Sequence, residues 1–393
     1  MYVPSKPLAH YSGAKAPKIL LVGEAWGREE AEIARPFVGS SGKLLFEMLG
    51  EANAELESEL HREIVESHRF GNSWVFIRDQ WLEAASIGLT NVFNFQPLAN
   101  KIESISWSKK ELKAQGHKDY DWPHLKQGCF LDPQYFPELD RLIAEVELLN
   151  PNLVVCLGNT PCWALLRATA ISNLRGSTAI SNWSGPRVKV LPTYHPAAVL
   201  YQWSWRTIVV ADLMKAFREG QFSEIRRPQR QVLINPTIEE VENYCNAICI
   251  SADLSPVPIE IGADCETVIG QVKMISFATS KSQAIVIPFI DEAKPGRSYW
   301  PDAWLEERAW LAAKRVCEHK NVRIVGQNFI YDMQYLCPMT IRFSLVPEDT
   351  MMLHHSLYPE MKKSLGFLGS VYTDESSWKL MRNQKADTEK RDE

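Results

Sequence analysis

Apolar residues fall in short unbroken runs through the first two hundred positions, and each run is followed by a stretch with helical spacing. Residues 18–25 (KILLVGEA) form an apolar run closing on Gly-Glu-Ala, the pattern of a strand buried on both faces of a parallel sheet. Residues 40–49 follow with serine at the cap position and apolar residues at helical intervals. Further strands read at 90–95, 153–157 and 188–193, and further helices at 137–149 and 160–167. The alternation predicts an α/β unit in which helices cover both faces of a parallel sheet.

The pattern breaks at Arg226-Arg227-Pro228-Gln229-Arg230, where charge and proline interrupt the apolar runs. A helix starts within 234–242, with Thr237 as its cap and Glu240 three residues on. Residues 251–258 read as a loop. Runs at 259–263, 272–278 and 283–288 are spaced like a three-strand meander, followed by a helix at 303–319 and a strand at 323–325. The expected organisation is a first domain over 1–222, a linker with a helix over 223–257, a second domain over 258–380 and a disordered charged tail over 381–393.

At 393 residues the chain exceeds what one core usually organises, and its 45% hydrophobic and 23% charged residues are ordinary for folded protein. No apolar run reaches the roughly 18–20 residues of a membrane helix, and the N-terminus lacks a signal-peptide core, so the expectation is a cytoplasmic protein with no membrane partner. A net charge of −5 does not advertise a nucleic-acid binder, but local basic patches matter more than the sum. Lys101, Lys109, Lys110, Lys113 and Lys118, interleaved with Trp107 and His117, are the best phosphate-facing candidates. Eight cysteines without a CxxC pair point to reduced thiols, and Cys245 and Cys249, one helical turn apart, read as core.

Two constellations carry chemistry. In the first, Gly23-Glu24-Ala25-Trp26-Gly27 stands where a strand turns into a loop, the edge at which parallel sheets bind ligands. Phe37 lies in Arg-Pro-Phe-Val-Gly-Ser-Ser-Gly at a helix entrance, Asn91 in Thr-Asn-Val-Phe-Asn-Phe-Gln-Pro, and His195 in Thr-Tyr-His-Pro-Ala at a strand end. An aromatic face, an amide and a histidine at such ends can converge on a planar ring: one stacks it, one reads a lactam edge, one stabilises charge on a carbonyl oxygen.

At these residues the sequence resembles the family 4 uracil-DNA glycosylases, whose motifs GEAPG, PFVG-x-x-G-x-LL, TNV-x-K-C-RP and HP are met in order over roughly residues 17–220. The resemblance implies a three-layer αβα domain that flips uracil out of DNA. It implies that Phe37 stacks on uracil, Asn91 reads its edge, His195 stabilises the departing anion, and Glu24 and Glu30 lie near the sugar and water. It also implies that the stretch Ala198, Val199 and Leu200 supplies a wedge into the base stack. Trp26 takes the place of the family's proline and is expected to shape the pocket. The family's iron–sulfur cluster needs four cysteines, two near the N-terminus; here none precedes Cys129 and Phe95 occupies the third place, so no cluster is expected. Packing by Phe95 and Trp107 is expected to brace the region instead.

In the second constellation, Asp264-Cys265-Glu266 ends a strand with both carboxylates on one face, and Asn328 and Asp332, four apart, are expected to share a helical face. Three carboxylates and an amide suit a magnesium site. These residues, with Glu-Asp-Thr-Met-Met-Leu-His-His and Lys-Ser-Leu-Gly-Phe-Leu, resemble the 3′–5′ exonuclease domain of phage-type family A DNA polymerases over roughly 258–379. The resemblance implies an RNase H-like mixed sheet, metal ligands at Asp264, Glu266 and Asp332, and a substrate-orienting Asn328. That family's late Tyr-x-x-x-Asp motif is not met, so magnesium is expected to bind weakly and the exonuclease domain to be truncated or incomplete. His354-His355 reads as a packing and surface pair. The expected protein is a DNA-processing enzyme whose partners are DNA and a separate DNA polymerase chain; the alternative is a non-catalytic DNA-binding and polymerase-docking module.

Overall fold

The computed structural model describes residues 3–53, 59–66, 72–117, 119–226, 229–291, 293, 297–373 and 375. Lys118 and the tail expected over 381–393 lie outside these residues. The chain separates into two compact units, one of residues 1–226 with the segment from Gly366 onward, the other of residues 227–365.

The first unit runs β1 (Ser12–Gly13), β2 (Ile19–Ala25), α1 (Arg28–Ile33), α2 (Ser40–Ala52), α3 (Glu59–Glu66), α4 (Asn72–Ala84), β3 (Ile87–Phe93), β4 (Ser106–Ser108), α5 (Lys109–Ala114) and β5 (Cys129–Leu131). It continues through α6 (Phe136–Leu149), β6 (Leu153–Leu157), α7 (Asn159–Leu166), α8 (Ile171–Leu174), β7 (Ala179–Ile180), β8 (Lys189–Thr193), α9 (Pro196–Tyr201) and α10 (Arg206–Glu219). Its main sheet has the order β1-β3-β2-β6-β8-β7, with the four central strands parallel and the short outer strands antiparallel. Alternation along each strand divides the core. Leu20, Val22, Val92, Val154, Cys156 and Val190 pack with α6 and α7. The other face meets α10, whose end closes on Ile19 and whose Asp212 and Glu219 receive Thr193 and Lys189. Helices therefore lie on both faces, as the alternating pattern predicts.

The second unit runs β9 (Gln231–Leu233), α11 (Ile238–Leu254), β10 (Ile259–Val268), β11 (Gln271–Ala278), β12 (Gln283–Pro288), α12 (Ala303–Cys317), β13 (Val322–Gly326), α13 (Ile330–Leu336), β14 (Glu348–Asp349) and α14 (Thr350–Leu357). Its mixed sheet has the order β14-β13-β10-β11-β12-β9. The expected antiparallel meander is β10, β11 and β12, while β13 and β14 add parallel to β10. Thr237 caps α11 in a reciprocal capping box with Glu240. The loop expected over 251–258 is half helix, because Ala252 is buried in the core and holds the last turn of α11 in register. Cys245 is buried in that core and Cys249 packs against it. His354 is buried and His355 exposed, as expected. Among the described residues, no helix is long and apolar enough to cross a membrane.

A last helix, α15 (Leu365–Tyr372), reads from its pattern as part of the second domain, but from Gly366 onward the chain packs with the first unit. Phe367 and Leu368 are buried there. Buried Arg175 donates to Asp212 Oδ2 at 2.9 Å and to Ser370 Oγ at 2.7 Å. Buried Lys215 donates to Gly176 O at 2.7 Å and Ser370 O at 3.2 Å. Removing the segment from Gly366 takes the Ser370 acceptors from Arg175 and Lys215, which keep Asp212 and Gly176 O, at about 1–3 kcal/mol for each bond lost. Deletion of that segment should therefore lower the melting temperature of the first unit by several degrees, read by tryptophan fluorescence; an unchanged transition would show that the segment does not brace it.

Candidate active site

The site is built around an absent side chain. Gly23 in β2 pairs in register with Asn91 in β3. A Cβ on Gly23 would stand 2.1 Å from Asn91 Oδ1 and 2.6 Å from Phe37 Cζ, so the amide and the ring close over a position only glycine can fill. Phe37 reaches this point with φ of 53°, a left-handed conformation that costs a non-glycine residue roughly 1–3 kcal/mol. Buried Arg78 of α4 holds it there, donating from Nη1 to Pro36 O at 2.6 Å and to Phe37 O at 3.4 Å. Gly42 lets the first turn of α2 lie against the same peptide, since a Cβ there would meet Phe37 O at 2.1 Å. The cap of α2 is Gly39, one residue before the serine expected from the pattern.

His195 caps α9, its Nδ1 accepting from the Ala197 N–H at 3.1 Å, while Pro196 fills the first helical position, where no N–H is needed. An accepting Nδ1 places the proton of the neutral imidazole on Nε2. Burial pushes the His195 pKa down to about 4, so the ring is a neutral donor near pH 7. It stacks with Phe37 at a centroid distance of 6.0 Å and an interplanar angle of 25°. Phe37, Asn91 and His195 are thus brought together, as the motifs predict.

Glu24 faces the other side of the sheet. Its carboxylate accepts from Thr160 of α7 and lines a cleft of about 700 Å³ with Lys101, His124, Lys126 and Asn159. Burial raises its pKa, with the Thr160 hydroxyl and the charge of Lys126 opposing. Glu30 accepts from the Gly27 N–H at 2.8 Å, and burial raises its pKa against the pull of backbone donors. Trp26 is buried edge-on to His10 at 4.9 Å, and its backbone N–H donates to Phe95 O. In the expected wedge Val199 is wholly buried and Leu200 exposed, so only Leu200 of that pair faces outward.

The residues that fix Asn91 were not apparent in the motifs. Buried Arg141 of α6 donates from Nη2 to Asn91 O at 2.7 Å and Val92 O at 2.9 Å. It pairs with Glu138 at 2.9 Å and Glu145 at 2.7 Å; Glu138 accepts from the Asn94 N–H and Glu145 from Thr90 Oγ1. Their i, i+3, i+7 spacing on the apolar face of α6 was the available signal.

A family model described as the uracil DNA glycosylase superfamily matches residues 10–217. The chain belongs to that superfamily. It is 29% identical over 209 residues to the type-4 uracil-DNA glycosylase of Archaeoglobus fulgidus, covering 52% of this chain and 77% of that protein. Its identity to the type-4 uracil-DNA glycosylase of Thermotoga maritima is 27% over 203 residues, covering 51% and 76%. The matched residues of the superfamily model all fall in the first unit. A domain of this superfamily implies DNA binding.

Both aromatic residues expected to brace the region make ring contacts. Phe95 packs on Tyr135 with centroids 5.3 Å apart, and Trp107 lies beside His117 at 5.9 Å. No step is assigned to iron.

In the second unit Asp264 and Glu266 are exposed on either side of buried Cys265, and so share a face as expected. Asp332 is buried and accepts from the Cys265 N–H at 2.7 Å. Partial loss of water around its carboxylate, then the charges of Asp332 and Glu266, push the Asp264 pKa up to about 6. Asn328 does not share a helical face with Asp332: its φ is 55°, and it precedes α13 with its N–H bonded to Asp349 Oδ1. Among the described residues no group of three or more His, Cys, Asp or Glu is placed to hold a metal ion, so magnesium is assigned no step.

Two outcomes follow from the pocket geometry. Gly23→Ala should reduce uracil release by about 100-fold or more, because displacing an aligned group by an ångström has that effect; release within a few-fold of wild type would show that the ring and amide need not meet there. His195 stays neutral in the fold while the unfolded imidazole protonates below about 6.5. The folded state therefore loses stability as pH falls from about 6.5 towards 4, and His195→Gln should remove that part of the slope in denaturant titrations. An imidazole titration near 6.5 by NMR would contradict this.

Proposed function

We propose that the first unit is a uracil-DNA glycosylase that hydrolyses the N-glycosidic bond of a deoxyuridine flipped out of DNA. The observation that carries this reading is the convergence of the Phe37 ring, the Asn91 amide and the His195 imidazole around Gly23. Phe37 stacks the extruded ring, and Asn91 both donates to and accepts from its lactam edge. The C1′–N1 bond breaks with its electron pair leaving on uracil, and the negative charge spreads to a carbonyl oxygen that receives the Nε2–H of neutral His195. Water adds to C1′ and its proton passes to solvent; Glu24, bonded to Thr160 on the other side of the sheet, is assigned no step, and Glu30, held by the Gly27 N–H, fixes the turn that carries Trp26. Lys101, Lys109, Lys110 and Lys113 supply phosphate-facing charge.

For the second unit, the meander with two added parallel strands and the carboxylates of Asp264, Glu266 and Asp332 supports an RNase H-like, exonuclease-related unit at which magnesium would bind weakly. One observation favours a second reading, a non-catalytic DNA-gripping module that docks a separate polymerase chain: Trp26 buries a large ring at the turn beside the pocket.

Uracil release from single- and double-stranded oligonucleotides with one deoxyuridine separates the two readings. The wild type should release uracil, and His195→Ala should slow release by about 10²–10³-fold, the usual cost of losing one oxyanion donor. Asn91→Ala should reduce release of uracil while leaving affinity for uracil-free DNA intact. Release by His195→Ala at the wild-type rate would sink the assignment, and tight DNA binding with no wild-type release would establish the second reading.

A further inference from the structure

Immediately beyond His195 the surface is unusually apolar. Leu200, Tyr201 and Trp203 are 46%, 93% and 61% exposed. The segment Val199-Leu200-Tyr201-Gln202-Trp203-Ser204-Trp205 holds no charged residue, so attraction to phosphate does not account for it.

The tip is held in one shape. The Gln202 N–H donates to Ala198 O at 2.9 Å, Gln202 O accepts from the Trp205 N–H at 3.0 Å, and Gln202 Nε2 donates to Ser204 Oγ at 2.7 Å. Trp205 anchors it inward, stacked on buried Tyr194 with centroids 4.2 Å apart at 14°. Trp203 turns outward, with the Arg206 guanidinium 5.5 Å from its ring centre and Glu51 paired to that guanidinium. One tryptophan of the Trp-Ser-Trp run thus fixes the loop while the other is presented to solvent.

We propose that Tyr201 and Trp203 form a stacking platform for the unpaired bases of a single DNA strand flanking the extruded nucleotide. The inference rests on the glycosylase reading, because the platform is continuous with the proposed base pocket: His195 is the cap of α9, and Tyr201 ends that helix. Six helical residues rise about 9 Å, under three base steps of roughly 3.4 Å. Every base has a π-face, so aromatic platforms bind strands with little sequence preference. A paired neighbour presents its faces only within the duplex stack, and the platform therefore favours single-stranded substrate.

The test is anisotropy of a labelled single strand of ordinary bases without uracil, against a strand of equal length made of abasic sugar–phosphates, using the full chain. Tyr201→Ala and Trp203→Ala should each weaken binding of the base-bearing strand by roughly 5- to 150-fold and leave the abasic strand unchanged. Trp203→Phe, which keeps an aromatic face, should recover most of the affinity, and Phe76→Ala, which removes an exposed ring on α4, should change neither strand. Wild-type affinity in both alanine variants, or equal loss on both strands, would overturn the platform. Because neither strand contains uracil, the readout is separate from turnover. A wild type that releases no uracil but shows this pattern would retire the glycosylase reading and keep the platform.

Discussion

The first unit depends on how closely an amide and an aromatic ring approach one strand position. At Gly23 there is no room for a Cβ, because Asn91 Oδ1 and Phe37 Cζ occupy the space it would take. That approach is possible only if β2 and β3 hold the observed register and if the loop before α2 bends back through a left-handed residue. The register comes from four parallel strands buried on both faces, and the bend from Phe37 itself. Glycine at 23 and 42, proline at 36 and the cap at 39 are then several expressions of one requirement, which is to bring a ring edge over the end of a strand.

Holding that geometry takes buried charge. Arg78 and Arg141 are both withdrawn from water, and each spends its guanidinium on main-chain carbonyls at the two sides of the pocket: Pro36 and Phe37 for one, Asn91 and Val92 for the other. A buried ion pair contributes little net stability once desolvation is counted, and a hydrophobic replacement of similar shape is often neutral. The five-donor fork does what an apolar group cannot, since it fixes peptide oxygens in direction as well as in place. Arg141 does so with two carboxylates on its own helix, which also reach Thr90 and the Asn94 N–H. The main chain of Asn91 is therefore held from behind the sheet, by α6.

Much of this was legible in the sequence. The buried parallel strands appear as apolar runs, the Thr237 cap appears as a capping box, and the pocket residues appear as motifs because glycine and proline mark their backbone needs. What stayed hidden shares a physical cause. Arg78 and Arg141 act on backbone atoms far away in sequence, and the one local sign of this is that Arg141 sits with Glu138 and Glu145 on the apolar face of α6. Asn328 was misplaced because a helical period was extended past the helix start, where a left-handed residue breaks it. Ser251–Leu254 was misread because Ser-Ala-Asp-Leu is locally indifferent, and only the burial of Ala252 in the core decides for helix. The docking of α15 onto the first unit was invisible for the same reason: Ser370 and Phe367 find their partners across a long stretch of chain.

The N-terminal region is tied down by packing and hydrogen bonds to several parts of the first unit. Leu8 N–H donates to Glu145 Oε1, His10 meets Trp26 edge-on, and Arg35 donates to Ala9 O and Tyr11 O. Aromatic pairs contribute about 0.5–1.5 kcal/mol beyond their burial, so no one of these contacts dominates. Two run through groups that also border the pocket: Glu145 belongs to the ion network behind Asn91, and Trp26 follows Gly23 and Glu24 in the same turn. The N-terminal segment and the pocket therefore share side chains, and Trp26 is part of the bracing as well as of the pocket wall.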